Sequence, residues 1–99
     1  MSKPAYFIID VKIHNYEAIK PYAEKVANTY EAFGGKLIVY GAKAEPLEGK
    51  IPEGQIVILQ FDNIEQARAW HDSDEYQAII GYRQAASEGN AYLVEGIAS

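Results

Sequence analysis

Apolar and polar residues alternate near the start of the chain with the two-residue period of a β-strand. From Ala5 to Ile13 every odd position is apolar, whereas the even positions mix apolar, aromatic and charged residues. A strand with this pattern buries one face and leaves the other face mixed. We therefore predict a first strand over Ala5–Ile13, ended by His14 and Asn15.

A helical period replaces this alternation after Asn15, which is a suitable N-cap residue. The apolar positions that repeat at helical spacing are Ile19, Ala23, Val26, Tyr30 and Phe33. Because proline is tolerated only in the first turn of a helix, Pro21 places the start of the regular helix near Lys20. The pair Gly34-Gly35 then ends the helix, with one glycine in the left-handed conformation.

The stretch Gln55–Gln77 contains a strand followed by two helix starts. Its first part, Gln55–Phe61, is dense in β-branched and other apolar side chains, which favours a central strand. Asn63 is placed to cap a helix, and Gln66 three residues later completes a capping box. Ser73 offers a second N-cap, so we predict a second short helix directly after the first.

The remaining segments complete the order of the elements. Lys36–Gly41 alternates as a second strand, and Ala42–Gly54, with two prolines and two glycines, is predicted to be a loop or a loose hairpin. The last helix ends near Ser87, and Gly89-Asn90 is predicted to turn into a final strand over Ala91–Gly96. The order β-α-β-β-α-β is the split βαβ of the ferredoxin-like fold, here a single α+β domain over residues 1–99.

The sheet face that the helices do not cover is predicted to be apolar as well, since in this fold the helices pack on one face only. That second face receives the side chains of Tyr6, Ile8, Ile38, Tyr40, Ile56 and Ile58. A patch of isoleucine and tyrosine across three strands is too apolar to face water. Another copy of the same sheet, related by a two-fold axis, is the simplest cover, so we predict a homodimer.

Charge and composition exclude several classes of protein. The net charge is −5 and there is no basic cluster, which argues against nucleic-acid or anionic-membrane partners. The chain contains no cysteine, so disulfides, thiolate metal sites and cysteine nucleophiles are excluded. MSKPAYFIID lacks the apolar length of a signal peptide, and no run could span a bilayer. We therefore expect a cytoplasmic protein that binds neither membranes nor nucleic acid.

Several short segments occur in an order that resembles a known family. They are FGGKLIVYG at 33–41, LEG at 47–49, IVILQF at 56–61, Ala69-Trp70, SDEYQ at 73–77 and Arg83. The ordered set is similar to domain of unknown function family 1330. This resemblance implies a dimeric α+β barrel, in which two ferredoxin-like sheets close on one another. The wider superfamily includes cofactor-independent oxygenases, haem-degrading enzymes, lactone isomerases and members without known activity.

The chain departs from that family at several positions where arginine is common. Lys36 and Tyr40 stand in the second strand, and Gln55 opens the third strand, where the family often has arginines. His71 follows Ala-Trp where a tyrosine is common. A family pocket that binds a carboxylate through those arginines is therefore weakened here, and Arg83 is the matching arginine that remains.

His71 is the candidate catalytic residue, because a histidine can act as general base or acid near neutral pH. The alternative is a packing role at a helix end, since no triad can be assembled around it. A metal site made of His14, His71 and Asp10 has no support from ligand spacing, so we expect neither a metal nor a cofactor.

Arg83 has two interpretations. It can form an ion pair with Asp74, Glu75 or Glu88, or it can bind an anionic ligand in a bidentate manner. We expect the ion pair, which would fix the short helix, to be its main role.

The cleft between the helices and the sheet is the expected ligand site. Its predicted walls are Phe7, Ile9, Val57, Leu59, Trp70, His71, Tyr76 and Tyr82. The candidate ligand-binding residues are Tyr40, Trp70, Tyr76 and Arg83. Two functions stay open: a cofactor-independent enzyme acting on a small aromatic or carbonyl metabolite, and a non-catalytic dimeric domain that binds a small molecule or is structural. In the second case, Trp70 and the tyrosines could fill the cleft completely.

Overall fold

Four strands and three helices follow one another in the computed structural model, which describes residues 3–98. In chain order they are β1 (Ala5–Ile13), α1 (Tyr16–Glu31), β2 (Lys36–Lys43), β3 (Gln55–Phe61), α2 (Ile64–Asp72), α3 (Asp74–Ala86) and β4 (Ser87–Glu95). The strands form one antiparallel sheet in the order β2-β3-β1-β4. The predicted ferredoxin-like α+β fold is confirmed, with α2 and α3 together in the place of its second helix.

The core lies between the helices and the face of the sheet that carries the odd positions of β1. Four of these five positions are buried, Ala5, Phe7, Ile9 and Val11, and Ile13 at the end of the strand is partly buried. Trp70 from α2 packs edge-on against Phe7, with ring centroids 5.0 Å apart. Its indole Nε1 donates a hydrogen bond to the hydroxyl of Thr29 on α1 over 3.0 Å, which satisfies its one polar atom. One side chain therefore joins two helices to the sheet.

The start of α1 is set by its cap. Asn15 Oδ1 accepts a hydrogen bond from the backbone N–H of Ala18 over 3.0 Å, so the helix begins at Tyr16 and not near Lys20. Pro21 lies inside the helix, past its first turn, where its ring removes one intrahelical hydrogen bond without ending the helix. The prediction that Pro21 marks the helix start is wrong, because the cap fixes the first turn earlier.

The two helices after β3 begin at the predicted caps. Asn63 Oδ1 accepts a hydrogen bond from the backbone N–H of Gln66 over 2.8 Å, and the Asn63 amide donates one to Gln66 Oε1 over 2.9 Å. Ser73 Oγ accepts a hydrogen bond from the backbone N–H of Tyr76 over 3.2 Å and donates one to the carbonyl of Trp70 over 2.7 Å. Ser73 therefore ends α2 and starts α3 with a single side chain.

The pairing of β2 with β3 is irregular. Leu37 lies opposite Leu59, but Val39 lies opposite Ile58, and a second register shift follows further along β2. A bulge of this kind exchanges the two faces of a strand, because side chains alternate with a period of two. Tyr40 consequently lies beneath α1. The prediction that Tyr40 faces away from the helices is therefore wrong, and Val39 takes the place expected for it.

β4 begins earlier than its sequence predicts. Gly89 and Asn90 are predicted to form a turn, but both lie inside the strand, which starts at Ser87 directly after α3. Gly89 pairs with Val11 on β1, and a Cβ atom at Gly89 would collide with the carbonyl oxygen of Asp10. The glycine therefore permits the close approach of two strands and not a change of direction.

An apolar row crosses the sheet face that points away from the helices. Its members are successive cross-strand neighbours on the four strands: Val39, Ile58, Ile8 and Tyr92. The Tyr92 side chain is 50% exposed. The described chain is a slab with extents of 41 × 37 × 16 Å, in agreement with one sheet covered on one side by helices. None of the helices within residues 3–98 has the length and apolarity needed to cross a membrane.

Candidate functional site

A cavity of about 150 Å³ lies between α1 and the helix-facing side of the sheet. Hydrocarbon surface forms most of its wall, from Phe7 and Ile9 on β1, Val57 and Leu59 on β3, and Ile19, Ala23 and Val26 on α1. Polar atoms come from Tyr22, Tyr30, Tyr40, Gln55 and Arg83. We call this space the apolar cavity. It occupies the predicted cleft, and four of the predicted wall residues line it.

The other predicted wall residues lie elsewhere. Trp70 and Tyr76 have no exposed surface, and their ring centroids are 4.2 Å apart in the core. Tyr82 is 47% exposed and lies outside the cavity wall, as does His71. The contact between Trp70 and Tyr76 fills the α2 side of the cleft, so the open space remains under α1. None of these four residues therefore lines the apolar cavity.

Tyr40 stands at the mouth of the apolar cavity. The register shift in β2 turns its side chain toward α1, yet 76% of its surface remains exposed. Tyr30 lines the cavity from α1, and its pKa is raised first by burial and then by the neighbouring Glu31 and Tyr40. Tyr30 therefore offers a neutral hydroxyl. Tyr40 and Arg83, two of the candidate ligand-binding residues, are brought to the same cavity.

Arg83 reaches the wall of the apolar cavity from α3. Its Nη2 lies 3.5 Å from the hydroxyl oxygen of Tyr76, a long contact, and its guanidinium carbon lies 5.6 Å from the centre of the Tyr22 ring. Its Nε is buried and has no hydrogen-bond partner. The guanidinium is therefore partly desolvated and underused as a donor.

The predicted ion pair of Arg83 is absent from the described part of the chain, where Lys20 and Glu17 form an ion pair and His71 contacts Asp72. Asp74 and Glu75 occupy the first turn of α3, more than one turn before Arg83, and both are exposed. They are positioned to interact with the N-terminal dipole of α3 instead. Glu88, near the start of β4, is exposed as well.

Tyr22 and Tyr76 link the cavity wall to the core through their hydroxyl groups, which are 3.1 Å apart. Burial raises the pKa of Tyr22 above its ordinary value, with a further rise caused by Tyr76, whereas Arg83 acts in the opposite direction. Tyr22 is therefore a neutral hydroxyl near physiological pH and serves as a hydrogen-bond donor or acceptor. Tyr22 is not among the predicted site residues, although it lies one helical turn before Val26 on the apolar side of α1.

Arg83 also belongs to the wall of a second, more open depression formed mainly by α3 and the start of β4. Its volume is about 590 Å³, and the polar residues around it are Asp10, His71, Gln77, Arg83, Gln84, Ser87 and Glu88. We call it the polar basin. Arg83 is thus common to the walls of the apolar cavity and of the polar basin.

His71 lies in the polar basin and is half-buried at the end of α2. Its ring centroid is 5.5 Å from that of Tyr76, and its Nδ1 lies 3.6 Å from Asp72 Oδ1. Asp72 thus approaches His71 although neighbouring helix positions are not expected to face each other. Because Asp72 is exposed, this contact is weak. Within residues 3–98, no three His, Asp or Glu side chains form a group that could hold a metal ion.

Residues 4–97 match the model of a described protein family. The chain belongs to Domain of unknown function (DUF1330). The resemblance found in the sequence is thereby confirmed. Among curated proteins, none matches the chain.

Solved structures similar to this DUF1330 protein support its fold. A protein of unknown function from Rhodopseudomonas palustris is 17% identical with a TM-score of 0.78, over 100% of this chain and 86% of the other. SnoaB, a cofactor-independent oxygenase from Streptomyces nogalater, is 11% identical with a TM-score of 0.59, over 100% of this chain and 97% of the other. At these identities the likeness establishes the ferredoxin-like fold alone.

Proposed function

We propose that this DUF1330 protein is a homodimeric α+β barrel that binds a small, mostly apolar ring compound in the apolar cavity of each protomer. The main support for this proposal is the cavity itself, which has a volume of about 150 Å³ and a lining made mostly of hydrocarbon. An apolar cavity of about this size in another protein holds benzene. Polar atoms at a few points of the wall would fix the orientation of such a guest.

The uncovered sheet face supports the homodimer. Val39, Ile58, Ile8 and Tyr92 form a continuous apolar row, and Val94 beside Tyr6 extends it. A two-fold axis would place the same row of a second chain against it, so each apolar side chain would find an apolar partner. A chain of 99 residues has a small core, and burial of this row would add to its stability.

A second candidate is a cofactor-independent enzyme, favoured by the likeness to a cofactor-independent oxygenase. In that case Tyr40 and Arg83 would orient the substrate, and His71 would be the base. His71, however, lies in the polar basin, so it could reach only a part of the substrate that extends past Arg83. The polar atoms of the apolar cavity belong to tyrosines, an amide and an arginine, none of which is a general base at neutral pH. Binding is therefore the better supported function.

The test of binding uses isothermal titration calorimetry with benzyl alcohol, benzaldehyde and benzoate. Ala23 lies on the rim of the apolar cavity and is exposed, so Ala23→Phe should block the cavity at little cost to folding. Ala69 is an exposed alanine on α2 outside the cavity, and Ala69→Phe is the matched control. We expect saturable binding of at least one probe, weakened at least about tenfold by Ala23→Phe and unchanged by Ala69→Phe.

Absence of binding by all three probes, or equal loss in the two variants, would overturn the binding proposal. His71→Phe separates the two functions, because it should leave binding unchanged while removing any turnover that depends on the histidine. Turnover measured as consumption of a carbonyl-bearing probe, and lost in His71→Phe with binding retained, would favour the enzyme.

A further inference from the structure

The hydrogen-bonding capacity of Arg83 is largely unused within residues 3–98. A guanidinium presents a planar fork of N–H donors and keeps its charge at every physiological pH. Here one Nη makes a contact of 3.5 Å with Tyr76, while the Nε is buried and unpaired. A buried donor without a partner is costly, and natural proteins retain few of them. The Nη groups of Arg83 therefore retain N–H donors that a ligand at the wall of either space could use.

The position of Arg83 determines which part of a ligand it would meet. On one side lies the apolar cavity, which suits a ring or a branched hydrocarbon. On the other side lies the polar basin, which is open to solvent. A carboxylate placed between them would form charge-assisted hydrogen bonds with the guanidinium and remain partly hydrated from the basin. It would therefore avoid the full desolvation cost of a buried charge.

We infer that the ligand of the apolar cavity is an aromatic monocarboxylate, with its ring in the cavity and its carboxylate on the Arg83 guanidinium. This inference rests on the proposed function and adds to it the charge and the orientation of the ligand. The neutral hydroxyl of Tyr22 lies beside Arg83 as a further donor for one carboxylate oxygen.

The surrounding charges restrict the ligand to a single negative charge. Asp10 and Glu88 are among the residues around the polar basin, and the whole chain has a net charge of −5. A second anionic group that extends into the basin would meet this excess of negative charge, which disfavours dicarboxylates and phosphate esters. Arg83 is the one arginine or lysine on the walls of either space within residues 3–98, so no second cation compensates a dianion.

The experiment compares benzoate with benzamide, a neutral molecule of nearly the same shape, by calorimetry on the full chain. We expect benzoate to bind about tenfold to hundredfold more tightly, as a charge-assisted pair predicts. Arg83→Gln should remove this preference and leave weak binding of both compounds. Arg83→Lys, which keeps the charge, should restore part of it. Arg68 is exposed on α2 outside both spaces, so Arg68→Gln controls for the change in net charge.

Each outcome has a distinct meaning. Equal affinity of the wild-type chain for benzoate and benzamide would overturn the carboxylate inference and leave the proposed function standing. A preference for benzoate that survives in Arg83→Gln, or that Arg68→Gln also removes, would overturn it as well. Binding of neither compound, nor of benzyl alcohol, would overturn the proposed function itself. If Arg83→Gln does not fold, the comparison of benzoate with benzamide on the wild-type chain still tests the inference.

Discussion

The hydroxyl oxygens of Tyr22 and Tyr76 lie 3.1 Å apart and join α1 to α3 beside the apolar cavity. Their rings meet edge to face, with centroids 6.0 Å apart and an interplanar angle of 67°. Arg83 completes this group through its contacts with the Tyr22 ring and the Tyr76 hydroxyl. Two members of this group, Tyr22 and Arg83, also line the apolar cavity, so substitutions here should change both stability and binding.

Tyr22 is expected to make stability depend on pH in the alkaline range. Burial is the main cause that raises the pKa of Tyr22, and the neighbouring Tyr76 raises it further. Because the folded-state pKa exceeds the unfolded value of about 10, this contribution is complete below about pH 10 and is lost as the pH rises above it. Urea denaturation across this range should show the free energy of unfolding falling more steeply in the wild-type chain than in Tyr22→Phe.

Tyr82→Phe is the control for this experiment, because Tyr82 is an exposed tyrosine on α3. Its removal should leave the alkaline slope of the wild-type chain unchanged. If Tyr22→Phe and the wild-type chain lose stability with the same slope, the hydroxyl of Tyr22 ionises normally and this account of its burial is wrong.

The cap of α2 gives a prediction about stability that is independent of any ligand. Asn63→Ala removes the acceptor for the backbone N–H of Gln66 and should cost about 1 kcal/mol, or about 4–8 °C in Tm. Asn28 is exposed within α1 and caps no helix, so Asn28→Ala is the control and should leave Tm unchanged or slightly higher. A thermal melt followed by circular dichroism measures both, and equal shifts would contradict the role of the cap.

Two glycines should respond to alanine in opposite directions. A Cβ atom at Gly89 would meet the backbone of Asp10, so Gly89→Ala should destabilise the chain by at least about 2 kcal/mol as β4 moves away from β1. Gly81 lies within α3 with open space around its Cβ position, and Gly81→Ala should stabilise the chain by about 0.5–1 kcal/mol. Urea denaturation compares the two variants, and a stable Gly89→Ala chain would contradict the close approach of the strands.

The dimer is tested by the mass of the chain in solution. Light scattering should give twice the chain mass of 11.0 kDa for the wild-type protein. Ile58→Glu places a charge in the centre of the apolar row and should yield a monomer or an unfolded chain. Ile97 is 87% exposed near the C-terminus, and Ile97→Glu should remain dimeric. A monodisperse wild-type monomer would contradict the homodimer.

Local signals predict much of this fold, because they depend on neighbours in sequence. The alternation in β1 gives the correct buried face, and Asn63 and Ser73 cap the helices that they are predicted to cap. Gly34, with φ 79°, adopts the left-handed conformation expected after α1. Pro21 gives the wrong helix start, because the cap at Asn15 stabilises the first turn by more than the loss of one helical hydrogen bond at Pro21 costs.

The site is harder to predict, since it depends on contacts between distant segments. Tyr40 reaches the apolar cavity only because the pairing of β2 with β3 shifts register. Gly41, with φ 68° inside β2, is a local sign of a bulge, but it does not show which side chains change face. Trp70 and Tyr76 do not line the apolar cavity, because their rings pack against each other in the core. The role of Gly89 also depends on a distant segment. In sequence, a glycine that permits the close approach of two strands cannot be distinguished from a glycine in a turn.

The central claim is that a small ring compound occupies the apolar cavity, and intermolecular nuclear Overhauser effects test it most directly. With benzoate bound to the methyl-labelled chain, the account predicts contacts from the ring protons to the methyl groups of Val26 and Val57, which lie on opposite walls. Contacts confined to the methyl groups of Ile8 and Ile58 on the other face of the sheet, or no contacts at all, would contradict it.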